Sequence, residues 1–146
     1  MVFALEAKFK KQEKAVKQWL SRLTAWTNHR REVVEVFLVG DKFLAKSGRA
    51  LLTAYQKTKK SAGRPESFNV LAFSAPADFL GAGKKKNLGE IYLNFDHIKK
   101  NKEDLRAMLI HGFLHLIGYD HKRSNDRIEM EKEEARLMAL FQNVAL

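Results

Sequence analysis

The sequence predicts an α+β domain in which a small mixed β-sheet is covered by helices, with a metal site at the C-terminal end of a central buried helix. Three observations carry this expectation. Short β-branched runs bounded by turn residues alternate with stretches of helical periodicity, the pattern of strands and helices sharing one core. Residues 108–117 are apolar almost all round, which marks a helix enclosed by other elements. The segment HGFLHLIGYDH, residues 111–121, holds three of the five histidines of the chain.

Each element follows in order. VFALEAKF (2–9) is expected as a first strand. EKAVKQWLSRLTAW (13–26) reads as a helix, with Ala15, Trp19, Leu20, Leu23 and Trp26 at helical spacing. EVVEVFLVG (32–40) is short, β-branched and ends in Gly, as a buried strand does. DKFLAKSGRALLTAYQK (41–57) is helical, and TKKSAGRPES (58–67) is a loop by its Gly and Pro. NVLAFSA (69–75) and GEIYLNF (89–95) read as strands, joined by a segment that ends in the flexible, cationic GAGKKK (81–86). Asn101 followed by Asp104 resembles an N-terminal capping pair for a helix over 102–117. Gly118 stops that helix, because glycine takes the left-handed conformation that ends many helices. A last helix over 124–143 is expected to turn Ile128, Ala135, Met138 and Ala139 toward the core.

Composition narrows the function classes. A chain of 146 residues fits one domain and needs no disulfide to hold a core. Its 45% hydrophobic and 30% charged residues, with only two prolines, exclude a disordered chain. No apolar run reaches the roughly 20 residues of a membrane span. MVFALEAKFK lacks the order of a signal peptide, and no cysteine is present. A cytoplasmic protein without thiolate chemistry is the expectation. The net charge of +10 points to a polyanionic partner, nucleic acid before membrane.

The histidines carry the chemistry. His111 and His115 are four apart, on one helix face and one turn from each other. Once Gly118 turns the chain, His121 can return as a third ligand, leaving a fourth position on a zinc ion for water or substrate. The helix C-terminus, with its partial negative charge, also favours a cation. The spacing of His, His, Gly and His matches the metzincin pattern HExxHxxGxxH, except that Gly112 occupies the place of the catalytic Glu. A protease would therefore lack its general base. Asp120, beside His121, could orient a ligand, act as a base, or simply form the turn.

HGFLHLIGYDH resembles the YbeY family signature HGxLHLxGYDH, matching at His111, Gly112, Leu114, His115, Leu116, Gly118, Tyr119, Asp120 and His121. Leu88-Gly89-Glu90-Ile91 and Asn69-Val70-Leu71-Ala72-Phe73 are similar to the strand starts Leu-Gly-Asp-Ile and Asp-Val-Leu-Ser-Phe of that family. Met130 and Glu134 fall where its last helix has Met and Glu. The departures are Leu52 for Asn and Gln56 for Arg in the second helix, Phe68 for Thr, and Glu90 for Asp. That arginine is taken to act in catalysis or RNA binding; Arg49 or Arg64 could substitute for it.

The resemblance implies one domain over 1–146, acting as a metal-dependent single-strand endoribonuclease in ribosomal RNA maturation and quality control. It implies one zinc ion on His111, His115 and His121, and single-stranded or ribosomal RNA, with the small ribosomal subunit, as partners. Lys84, Lys85 and Lys86, and Lys57, Lys59, Lys60 and Arg64 in the other loop, would steer the RNA backbone. Two alternatives stand beside it. One is a non-catalytic ribosome-associated assembly factor with a structural or vestigial metal; the other is a metal hydrolase of another anionic substrate, with peptide ranked last.

Overall fold

The structure, a computed structural model, describes residues 1–59, 68–75 and 85–143, the side chains of 55–59 excepted. In chain order the elements are β1 (Val2–Ala4), a 3-10 helix (Ala7–Gln12), α1 (Glu13–Trp26), β2 (Val33–Val39) and α2 (Asp41–Lys59). After these come β3 (Val70–Ser74), β4 (Asn87–Asn94), α3 (Phe95–Lys100), α4 (Leu105–Leu116) and α5 (Ser124–Gln142).

The four strands form one mixed sheet in the order β1-β2-β4-β3. The first three run parallel and β3 pairs antiparallel to β4. Because side chains alternate across a strand, the sheet has two faces. Val34, Val36 and Leu38 of β2 and Ile91 and Leu93 of β4 are buried with Val16, Leu20 and Leu23 of α1 and Leu109, Ile110, Phe113 and Leu114 of α4. On the opposite face Phe3, Phe37 and Tyr92 stack across β1, β2 and β4, with centroids 5.4 and 4.9 Å apart. That face looks toward α2, where Glu35, Glu90 and Tyr92 share a cleft with Leu51 and Ala54. The Tyr92 hydroxyl donates to Glu90 at 3.0 Å, and burial together with that carboxylate pushes the phenol well above its ordinary pKa.

A bulge in β4 shifts the register beside Val33 and Val34 and skips Leu88. Gly89 follows it at φ +136, and a Cβ there would collide with the Phe73 carbonyl oxygen. Gly89→Ala is therefore expected to lower stability by about 1–3 kcal/mol from backbone strain, with the clash adding to it. Denaturant unfolding checks this, and an unchanged midpoint would contradict the clash.

Helix α4 is placed by its ends and by one glycine. Asp104 is its N-cap, accepting from the backbone N–H groups of Arg106 at 2.8 Å and Ala107 at 3.2 Å. At its other end Gly118, at φ +107, forms a Schellman turn: Tyr119 N–H donates to Leu114 C=O at 3.0 Å and Gly118 N–H to His115 C=O at 3.3 Å. Gly112 faces the sheet, where a Cβ would stand 2.9 Å from Val70 Cγ2 and 3.0 Å from Ile91 Cγ2. The missing side chain lets the helix backbone lie against β3 and β4.

Several expectations are corrected. The first strand ends at Ala4, and residues 7–12 form a 3-10 helix. The cause is long-range: Glu6, only 7% exposed, turns inward so that its Oε2 accepts from Phe43 N–H at 3.0 Å at the start of α2. Asp96 joins it there, accepting from Asp41 N–H at 2.7 Å and from Lys8 Nζ at 2.9 Å. Burial alone would raise Asp96, yet these donors hold its carboxyl below the usual range.

Asn101 does not cap α4. It is the C-cap of α3, a short helix the sequence reading missed by carrying β4 on to Phe95. Residues 58 and 59, expected in a loop, are the last of α2; residues 60–67 lie outside the described residues. In α5 the buried side chains are Met130, Leu137 and Phe141; Ile128 is 46% exposed, and Ala135 and Ala139 are exposed too. Only Met138 of the four expected residues packs against the core. Apolar identity alone did not mark the docking stripe, because apolar side chains are spread around this helix.

Candidate metal centre

The periodicity of α4 points His111 and His115 the same way, and their Nε2 atoms lie 3.2 Å apart. Each ring is held from behind. His111 Nδ1 is 2.9 Å from Glu134 Oε1 on α5, and His115 Nδ1 is 3.1 Å from the Tyr119 carbonyl oxygen. A carboxylate and a carbonyl can only accept, so each neutral ring carries its proton on Nδ1. Two Nε2 lone pairs then face one another, an arrangement that a cation between them stabilises.

The turn after Gly118 brings in the third ring. His111, His115 and His121 each offer a nitrogen within 4.8 Å of the other two. The His121 ring centroid is 5.6 Å from that of His111 and 5.0 Å from that of His115. A shared proton bridges two nitrogens, whereas a metal ion accounts for three. At a metal–nitrogen distance of about 2.05 Å, tetrahedral ligands stand about 3.3 Å apart, close to the spacing of the two helical rings. The residues present therefore fit a single divalent ion on imidazole nitrogen, with Glu134 and the Tyr119 carbonyl setting the tautomers.

The rings are less enclosed than an all-apolar helix implied. His111 and His115 are half-buried and His121 is exposed. The sheet takes the Gly112 side of α4, and α5 covers the opposite side only in part. What remains is an open cleft of about 200 Å³ lined by His111, His121, Arg127, Met130, Glu131 and Glu134.

The other candidates separate clearly. Gly112 points into the sheet, so no side chain at that position could serve as a base at the cluster. Asp120 Oδ1 accepts from His121 N–H at 2.7 Å, which braces the turn that presents His121. Glu90 lies on the face of the sheet turned toward α2, whereas its neighbour Ile91 packs on the α4 side. Lys85 and Lys86 are exposed at the entry to β4. The Lys86 carbonyl accepts from Val33 N–H at 2.8 Å, and Gly89, three residues on, abuts Leu116, next in sequence to His115. These lysines thus sit at the same end of the sheet as the histidines. Lys84, Lys60 and Arg64, and the side chains of Gln56, Lys57 and Lys59, lie outside the described residues.

Sequence reasoning matched Glu134 to a family position without assigning it a role, and it overlooked Arg127. No local spacing links Glu134 to a histidine 23 residues earlier. Glu134→Ala is expected to weaken metal affinity by about 10–100-fold, the usual effect of losing a hydrogen-bonded support. Competition with a chromophoric chelator reads this directly, and equal affinity would show that the carboxylate does not support the ligand.

Fold and site together define a small α+β protein built around a three-histidine cluster suited to a divalent ion. The chain belongs to the YbeY family: residues 4–142 match the family model described as Endoribonuclease YbeY. Relatives bearing that name include a protein of Rhodopseudomonas palustris (strain HaA2), 33% identical over 62% of this chain and 51% of its own length. Another, from Neorickettsia sennetsu (strain ATCC VR-367 / Miyayama), is 32% identical over 70% of this chain and 68% of its own. A third, from Maricaulis maris (strain MCS10), is 35% identical over 73% of this chain and 62% of its own. The chain thus spans from about half to two-thirds of the length of these relatives.

Proposed function

We propose that this chain is a zinc-dependent endoribonuclease that cleaves single-stranded RNA in ribosomal RNA maturation and quality control. One observation carries the reading: three histidines converge, and two of them, His111 and His121, line an open cleft in a chain of net charge +10. Membership in a family whose relatives are named endoribonucleases supports the substrate class. His111, His115 and His121 hold the ion, and Glu134 keeps His111 in the tautomer that leaves Nε2 free for it. Zinc, when bound, supplies a Lewis acid toward a phosphate oxygen and lowers the pKa of water. Lys85 and Lys86, with Lys84 beside them in sequence, attract the RNA backbone. Ribosomal RNA and the small ribosomal subunit in the cytoplasm are the proposed partners; among the described residues no helix is long and apolar enough to cross a membrane.

A second reading, a non-catalytic assembly factor, draws on Gln56 standing where the family has arginine. The open cleft favours the enzyme, since a purely structural metal is closed off by protein ligands. Hydrolysis of peptides is disfavoured by the sheet-facing Gly112 and by Glu90 on the α2 side.

The test is cleavage of a labelled single-stranded ribosomal RNA precursor, with protein stripped by chelator and then reloaded with zinc. Cleavage is expected only after reloading, and its absence in the loaded protein would favour the assembly factor. Between 50 and 200 mM salt, RNA affinity should fall steeply, by about 300-fold if six phosphates of a single strand are contacted. A flat response would remove the lysines from the account.

A further inference from the structure

The cleft beside the histidines has a second wall, formed by α5. Arg127, Met130, Glu131 and Glu134 stand at i, i+3, i+4 and i+7, a single stripe along the helix. Glu134 touches His111, which fixes that stripe against the cluster. Arg127 lies two turns earlier, about 10 Å along the axis, and closes the cleft with the His111 and His121 rings. We propose that Arg127 binds the phosphate group of the substrate at this site. The inference rests on reading the histidine cluster as the centre that acts on RNA.

The charges in the cleft support this assignment. Arg127 is the one cation among its described lining residues. Of the two carboxylates beside it, Glu134 is engaged by His111 Nδ1 at 2.9 Å. Glu131 stands one turn from Arg127, yet no ion pair joins them among the described residues. Elsewhere on the same helix such pairs do form: Arg136 grips Glu133, and Lys132 reaches Glu129 at 3.8 Å. Arg127 thus lines the cleft beside nitrogens placed for a metal ion, and no carboxylate among the described residues pairs with its guanidinium.

Its chemistry fits the role. Three neutral imidazoles add no positive charge to the ion they would hold, so the histidines themselves offer a phosphodiester no cation. A guanidinium adds a permanent positive charge and a planar fork that matches two phosphate oxygens at once. A lysine presents only a point charge and would serve less well. Among the described residues, the cation that lines this cleft comes from α5. Arg127 is exposed, so its replacement leaves the core intact.

The test titrates inorganic phosphate into stoichiometrically zinc-loaded protein by calorimetry, comparing the unmutated chain with Arg127→Gln and Arg127→Lys. Phosphate affinity should fall at least tenfold in Arg127→Gln and less in Arg127→Lys, while zinc affinity stays the same in all three. Equal phosphate affinity in the unmutated and Arg127→Gln proteins would overturn the assignment. So would failure of the unmutated, zinc-loaded protein to bind phosphate. Cleavage of single-stranded RNA is measured in parallel, and kcat/KM should drop at least tenfold in Arg127→Gln. An unmutated protein that binds phosphate through Arg127 but cuts no RNA would refute the nuclease and leave the phosphate site standing.

Discussion

His115→Ala is expected to abolish zinc-restored RNA cleavage and to leave the protein folded. His115 is the middle member of the cluster, with its Nε2 3.2 Å from that of His111 and its ring 5.0 Å from that of His121. Without it, one helical ring and one exposed ring remain, and a divalent ion would have to complete its shell with water. The loss of affinity should exceed the 10–100-fold expected of supporting residues, because a ligand itself is gone. Alanine is the best helix former, and His115 is only half-buried, so α4 should keep its helicity. Metal content after dialysis, circular dichroism and the cleavage assay separate these effects. Stoichiometric zinc and normal cleavage in a folded variant would show that the metal sits elsewhere.

Gly112→Glu should have the larger structural effect. On paper the substitution completes HExxH and creates a protease motif. In the fold it should instead prevent stable folding. A Cβ at this position already meets Val70 Cγ2 at 2.9 Å and Ile91 Cγ2 at 3.0 Å, on two adjacent strands. Overpacking of that kind costs about 1–3 kcal/mol. A carboxylate forced between helix and sheet adds a desolvation penalty of several kcal/mol when no donor meets it. Together these approach the 5–15 kcal/mol that holds a typical domain folded. Gly112→Ala isolates the packing part, offset by about 1 kcal/mol of helix propensity, and should remain folded with a lowered midpoint. Soluble, cooperatively unfolding Gly112→Glu protein with an unchanged midpoint would contradict this account of α4 packing.

The comparison of these two positions explains what was legible in the sequence. His111 and His115 were readable because helix geometry alone brings residues four apart together, and Gly118 with His121 extended the set by a turn. Adjacent Gly112 was read only as an absent glutamate. Its role as the contact between α4 and the sheet depends on Val70 and Ile91, more than twenty residues away along the chain. The same division holds elsewhere. Helix α1 matched its expected span because periodicity sets an amphipathic helix locally. The first strand was overextended because Glu6 leaves it to meet Phe43 N–H, a partner no local pattern indicates. The face of α5 was misjudged because its docking onto α4, not its own composition, selects Met130, Glu134, Leu137 and Phe141.

By itself the sequence determined the helical and strand periods, the stop at Gly118, the net charge and the three-histidine spacing. All of these follow from backbone geometry or from counting. The strand order, the pairing of His111 with Glu134, the placing of Glu90 on the face away from the cluster and the entry of Arg127 into the cleft were decided by tertiary structure alone. Each depends on which surfaces meet, and burial of apolar area drives that meeting without regard to separation along the chain.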